Sequence, residues 1–283
     1  MRDVASLFKL RISILIMITA LAGVAAAPGP SPGALRVLTL AFAVLLASAS
    51  AGAFNQYFEF ESDALMTRTR GRAFVTGALK PSRGWLILIG AMLAVAVALA
   101  AFVVNPASAC YVFLGAFFYA VVYTVWLKRR TWLNIVIGGL AGSFAVLAGA
   151  AAVDPAVGAQ PALLALILFL WTPPHFWSLA IANQADYATA RIPMLPNVVG
   201  AGRAAWIVFW NTVALVGASM LPVVYGAGPM YLAGAVAGGG YFIVTTWALA
   251  RAPSRRTAMR AFLASLVQLS VILVGIFIDS AGW

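Results

Sequence analysis

The residues of this chain whose types and spacing could do chemistry gather between Asn55 and Arg83. The 283 residues include only seven acids, and Glu59, Glu61 and Asp63 fall within five positions. Asn55, Glu59 and Asp63 are spaced i, i+4, i+8, which on a helix is one face. Glu61 points about 160° away from Glu59 on the same helix and belongs to its solvated side. Arg68, Arg70 and Arg72 follow at once. Carboxylates beside guanidinium groups suit a magnesium–diphosphate site. Oxygen ligands hold the hard cation, which keeps contact with phosphate oxygens, while Arg forks grip the remaining oxygens.

A second constellation runs from Trp171 to Pro196. His175 is the single histidine of the chain, and Asp186 is the one acid of this stretch. They stand eleven positions apart, so a continuous helix would place them on one face, with His175 roughly 16 Å deeper. Pro173-Pro174 is read as a kink just before His175. A lone histidine in such a segment is either a packed hydrogen-bonding residue or a functional group. Lys128-Arg129-Arg130 serves equally as a topology anchor or as a grip on diphosphate.

The elements that must position these groups are membrane helices. The chain is 64% hydrophobic and 9% charged, too apolar for a soluble domain. Apolar runs of spanning length predict an all-α, polytopic membrane protein in one domain over 1–283. The expected spans are 11–28, 35–57, 84–104, 108–127, 133–153, 161–182, 204–225, 229–250 and 261–279, nine helices around a central cavity. The first apolar run continues into a bundle of similar runs and is not read as a cleavable signal. Cys110, the single cysteine, lies in an apolar run and excludes an internal disulfide.

The net charge of +11 is dispersed among loops, which argues for membrane orientation rather than nucleic acid. With the N-terminus placed in the cytoplasm, every Lys and Arg except Arg36 falls on the cytoplasmic side. The positive-inside rule therefore predicts a cavity opening to the cytoplasm and a C-terminus on the opposite face.

Four motifs in order carry a resemblance. N-x-x-x-E-x-x-x-D-x-x-M-x-R-T-x-x-R is present as Asn55, Glu59, Asp63, Met66, Arg68, Thr69 and Arg72. Y-T-x-x-L-K-R-x-T-x-x-N runs from Tyr123 to Asn134. P-P-H-F-W is residues 173–177, and D-Y-x-x-A-x-I-P-M-L-P is residues 186–196. In these the chain resembles the protoheme IX farnesyltransferases (haem O synthases), a branch of the UbiA-type intramembrane prenyltransferases. It departs at Lys9-Leu10-Arg11, where the family has K-P-R. It also departs at Arg72-Ala73 for R-P, before Asp186-Tyr187, where Asn183-Gln184-Ala185 lacks the usual basic residue, and at Ala190, where many relatives carry a second acid.

The resemblance implies transfer of the farnesyl group of farnesyl diphosphate to a vinyl group of haem b, with water addition, in the inner cell membrane. Magnesium would be the cofactor, and Asn55, Glu59, Asp63 and Asp186 the catalytic metal–diphosphate residues. Arg68, Arg72, Lys128 and Arg129 would clamp the leaving group, and His175 would stand on the haem side. A downstream haem A synthase or oxidase assembly would receive the product. Two rivals share part of this pattern. A prenyltransferase for a quinone precursor would keep the diphosphate site but change the acceptor. A transporter would place its ionisable residues at the bilayer midplane, whereas these acids fall at helix ends.

Overall fold

The computed structural model describes residues 6–281, and among them all regular structure is helical. Eight helices are long and apolar enough to cross a membrane, joined by a shorter apolar one. In chain order they are α1 (Leu10–Ala26), α2 (Ala34–Ala64), α3 (Arg83–Val104), α4 (Pro106–Leu127), α5 (Asn134–Val153) and α6 (Ala159–Ala182). Two short helices follow, α7 (Gln184–Thr189) and α8 (Leu195–Val199). Then come α9 (Ala201–Val224), α10 (Pro229–Arg251) and α11 (Arg255–Ala281). The all-helical expectation is met. The first expected span, 11–28, is α1, whose 17 residues stand at the short end of the range that crosses a bilayer.

Local chemistry sets the helix ends. Pro106 opens α4 from the position where a missing N–H costs nothing, and the Asn105 side chain accepts from Ser108 N at 2.8 Å. Pro229 opens α10, and there the cap comes from another helix. The Asp279 carboxylate of α11 accepts from Met230 N at 3.1 Å and Tyr231 N at 2.8 Å, where the helix dipole favours an anion.

The helices of the first half touch through small residues. A Cβ on Gly149 of α5 would stand 1.8 Å from the Ala20 carbonyl oxygen of α1, and one on Gly23 of α1 would stand 2.1 Å from that of Val146. Only glycine permits this approach. Without a hydrophobic drive between helices in lipid, close backbone packing of this kind supplies much of the association.

Three boundaries differ from the sequence reading. Helix α2 runs on to Ala64 instead of ending near residue 57, so the acidic stretch continues the spanning helix itself. Helix α11 begins at Arg255, before the expected 261. Helix α6 passes unbroken through Pro173 and Pro174 but stops at Ala182, where Asn183 leaves the helical region (φ −124°, ψ 33°). His175 and Asp186 are therefore on separate helices, and the continuous-helix face expected for them is not formed.

At the basic end of the bundle the connections fold into a cap. Met66, Ile135, Trp177, Tyr187, Ile192, Met194 and Leu195 are buried in one apolar cluster. The connection after α2 is thereby packed on the one after α6. This apolar cluster, built from residues of three of the motifs with Tyr123 and Trp132 of the other packed against it, is what holds the charged groups of the two connections side by side.

Candidate functional site

The extension of α2 brings Asn55, Glu59 and Asp63 onto one buried face, each at most 3% exposed, while Glu61 is exposed. Burying two carboxylates is costly unless cations and donors meet them. Lys128 meets Glu59, with Nζ 2.5 Å from Oε2, and Asn55 Nδ2 donates to the same oxygen at 2.7 Å. Arg72 pairs with Asp63 through Oδ2. The Thr69 hydroxyl donates to the Asp63 carbonyl at 2.8 Å, which curls the chain so that Arg72 can reach back.

Helix α4 changes pitch to serve this face. From Phe118 to Leu127 it is π-helical, with Lys128 N–H donating to the Tyr123 carbonyl at 2.9 Å. The wider turn, a form that clusters at functional sites, sets Tyr119, Thr124 and Lys128 against α2. The Thr124 hydroxyl accepts from Asn55 Nδ2 at 3.1 Å. Lys128 lies 5.7 Å from the centre of the Tyr123 ring, a distance at which the ring quadrupole attracts a cation. Asn134 Nδ2 donates to the Thr131 carbonyl at 2.6 Å and the Lys128 carbonyl at 3.4 Å. That accounts for the asparagine closing the second motif: it holds the turn carrying Lys128 and Arg129.

Lys9 completes the arrangement and was not foreseen. Its Nζ donates to Asn55 Oδ1 at 2.6 Å and Tyr119 OH at 3.0 Å. Its backbone is left-handed (φ 47°, ψ 43°), a conformation that a non-glycine residue keeps only when its surroundings enforce it. Burial pushes its amine down to about 7, with repulsion from Arg72 and Lys128 opposing the pull of Glu59 and Asp63. The one sequence signal was its place in the Lys9-Leu10-Arg11 departure.

Other foreseen groups are more loosely attached. Asp186 accepts from the Arg68 backbone N–H at 3.3 Å. Burial raises the pKa of the Tyr187 phenol, and the Arg68 charge lowers it by less. Arg129 donates to Ser62 Oγ at 3.1 Å. His175 is elsewhere: it meets Ser265, Trp171, Phe176 and Phe262, none of them on the acidic face.

Lys9, Gln56, Arg68 and Arg72 line a cavity of about 400 Å³ beside this face. Its lining is cationic, with Asp63 paired to the lining residue Arg72, which suits a multiply charged anion joined to a divalent cation. No three Asp, Glu, His or Cys residues converge as a ready-made metal cage among the described residues. Yet Asp63 Oδ1 is a buried carboxylate oxygen with no hydrogen-bond partner. A hard cation that keeps phosphate and water among its ligands needs only one or two such oxygens, so the residues fit magnesium.

The family model for UbiA prenyltransferases matches residues 16–271. The protoheme IX farnesyltransferase 2 of Paramagnetospirillum magneticum is 52% identical over 279 residues, covering 99% of this chain and 97% of its own. The protoheme IX farnesyltransferase 1 of the same organism is 50% identical over 80% of each chain. Among solved structures, one of a digeranylgeranylglyceryl phosphate synthase superposes with a TM-score of 0.82 at 18% identity, covering 100% and 99%. A UbiA homologue from Archaeoglobus fulgidus bound to DMAPP and Mg2+ superposes with a TM-score of 0.73 at 14% identity, covering 95% and 99%. These two likenesses concern the fold alone.

Proposed function

The chain belongs to the UbiA prenyltransferase family, in its protoheme IX farnesyltransferase branch, and from that premise we propose that it transfers the farnesyl group of farnesyl diphosphate to a vinyl group of haem b. Water is added in the same reaction, giving haem O, pyrophosphate and a proton. The observation that carries this reading is the 52% identity to a protoheme IX farnesyltransferase along nearly the whole of both chains.

The residues suit the reaction. A vinyl group is a weak nucleophile, so the farnesyl C1–O bond must break with little help from attack. That requires the departing diphosphate to be stabilised by fixed positive charge. Arg68, Arg72 and Lys9 at the cavity, with Lys128 behind, supply that charge on a preorganised frame. Lys128 is held by Glu59, and Arg72 by Asp63, so neither has to reorganise as charge develops. Magnesium held by Asp63, with Glu59, Asn55 and Asp186 near it, would add Lewis-acid stabilisation of the same leaving group. The vinyl carbon then bonds to C1, and the resulting cation next to the porphyrin is captured by water, whose proton departs.

The charge asymmetry supports an orientation. All Lys and Arg but Arg36 fall on one side of the expected topology, so the site opens to the cytoplasm, the N-terminus is cytoplasmic, and the bundle lies in the inner membrane. The whole chain acts as one prenyltransferase domain.

Pyrophosphate release by the purified protein in lipid tests the reading. Release should require farnesyl diphosphate, magnesium and haem b together. Release that ignores haem b but responds to a quinone precursor would reject the acceptor.

A further inference from the structure

Away from the acidic face, helices α6 and α11 build an arrangement that the reaction scheme above does not explain. The His175 ring is stacked on Trp171, with centroids 4.1 Å apart and planes 20° apart. On the other helix Phe262 packs against it at 4.5 Å and 30°. A ring clamped in this way cannot turn, and its direction is decided by one further residue. Ser265, fully buried, has its Oγ 2.6 Å from His175 Nδ1. Its backbone carbonyl accepts from Trp171 Nε1 at 2.8 Å. One serine thus anchors both the histidine and the indole stacked on it.

Proton accounting then assigns the ring. A hydroxyl has one proton to donate. The Ser265 hydroxyl donates to the Phe262 carbonyl at 2.6 Å, and a carbonyl can only accept. Toward His175 the same oxygen has only lone pairs left, so Nδ1 must carry the N–H and donate. A neutral imidazole has a single N–H, and the nitrogen opposite keeps its lone pair. We propose that Ser265 is a positioning residue that fixes His175 in the Nδ1–H form and thereby presents the Nε2 lone pair to the iron of the haem substrate.

This rests on the proposed function for the identity of the ligand, but the tautomer does not. An imidazole whose N–H is hydrogen-bonded is a more basic and better oriented ligand for a metal. Bound through iron, a haem would be held at one point while its periphery faces the prenyl donor. The acceptor would then be recognised by a group separate from the diphosphate site.

The single histidine makes the test direct. Protein carrying nitrogen-labelled histidine, purified on a tag without histidine and placed in lipid bilayers without haem, shows one imidazole by solid-state magnetic resonance. The wild type should show a protonated Nδ1 and a bare Nε2. Ser265→Thr, which keeps the hydroxyl, should match it, and Ser265→Ala should lose the preference. A wild-type ring protonated at Nε2, or an unchanged ring in Ser265→Ala, overturns the assignment. With ferrous haem b added, resonance Raman should show an iron–histidine stretch that is absent in His175→Ala, lowered in Ser265→Ala and restored in Ser265→Thr. Haem that is bound and farnesylated without that band overturns the ligand role. A wild type that farnesylates no haem, whatever the tautomer, instead overturns the proposed function.

Discussion

Asp63 divides its two carboxylate oxygens: Oδ2 is paired with Arg72, while Oδ1 is buried without a partner. A buried acceptor left open in this way costs free energy, and a cation recovers it. Asp63→Asn should therefore lower turnover by about 10²–10³-fold, the scale of losing one preorganised electrostatic contact, as read by steady-state kinetics. Glu61→Gln, on the exposed side of the helix, should stay within about twofold, since substitutions away from such features change little. Equal damage from the two would reject the division of α2 into an active and a solvated face.

Glu59 carries a different consequence. It faces Lys128, which is only 8% exposed, so Glu59→Gln would strand a buried ammonium as well as remove a site oxygen. Breaking one half of such a pair costs about 3–5 kcal/mol. Glu59→Gln should thus lower both turnover and the thermal midpoint. Adding Lys128→Met should restore the midpoint and leave turnover lost. Recovery of turnover in the double variant would show that the pair only holds the fold.

Among the elements, the crossing of α1 on α5 depends on two glycines. Gly149→Val would drive a side chain into the Ala20 carbonyl and should destabilise the bundle by about 1–3 kcal/mol through overpacking. Gly90→Ala on α3, where a Cβ meets nothing, should be harmless. Thermal unfolding in detergent separates the two, and equal midpoints would dismiss the crossing as a fixed contact. Hydropathy located the apolar helices because lipid demands long apolar runs. It lost the end of α2, where Glu59, Glu61 and Asp63 lower the average although the helix continues beneath them. The i, i+4, i+8 register of Asn55, Glu59 and Asp63 survived that error, since helical geometry does not depend on where the apolar run stops. The partners were less legible. Lys9 meets Asn55 and Tyr119 across 46 and 110 residues, and no local pattern encodes such a meeting. The π-helical turns of α4 likewise depend on what α4 packs against. Ser265 looks in sequence like any small polar residue in a membrane helix.

On the scale of the whole molecule, the basic connections, the capping cluster and the carboxylates all lie at one end of the bundle, while Asp279 caps α10 at the other. Single cysteines introduced into 66–80 and 252–254, with Cys110 replaced, should react with a membrane-impermeant reagent only from the cytoplasmic side. Labelling from outside in intact cells would reverse the orientation and the direction of substrate entry together.

The central claim is that a farnesyl cation released at this face is caught by haem and completed by water. Its most direct test is the mass of the product haem after purified protein is incubated with haem b, farnesyl diphosphate and magnesium in isotopically labelled water. The account predicts one farnesyl group and one labelled hydroxyl added to a single side chain. A product with an unlabelled oxygen, or haem recovered unchanged beside a prenylated quinone precursor, would contradict it.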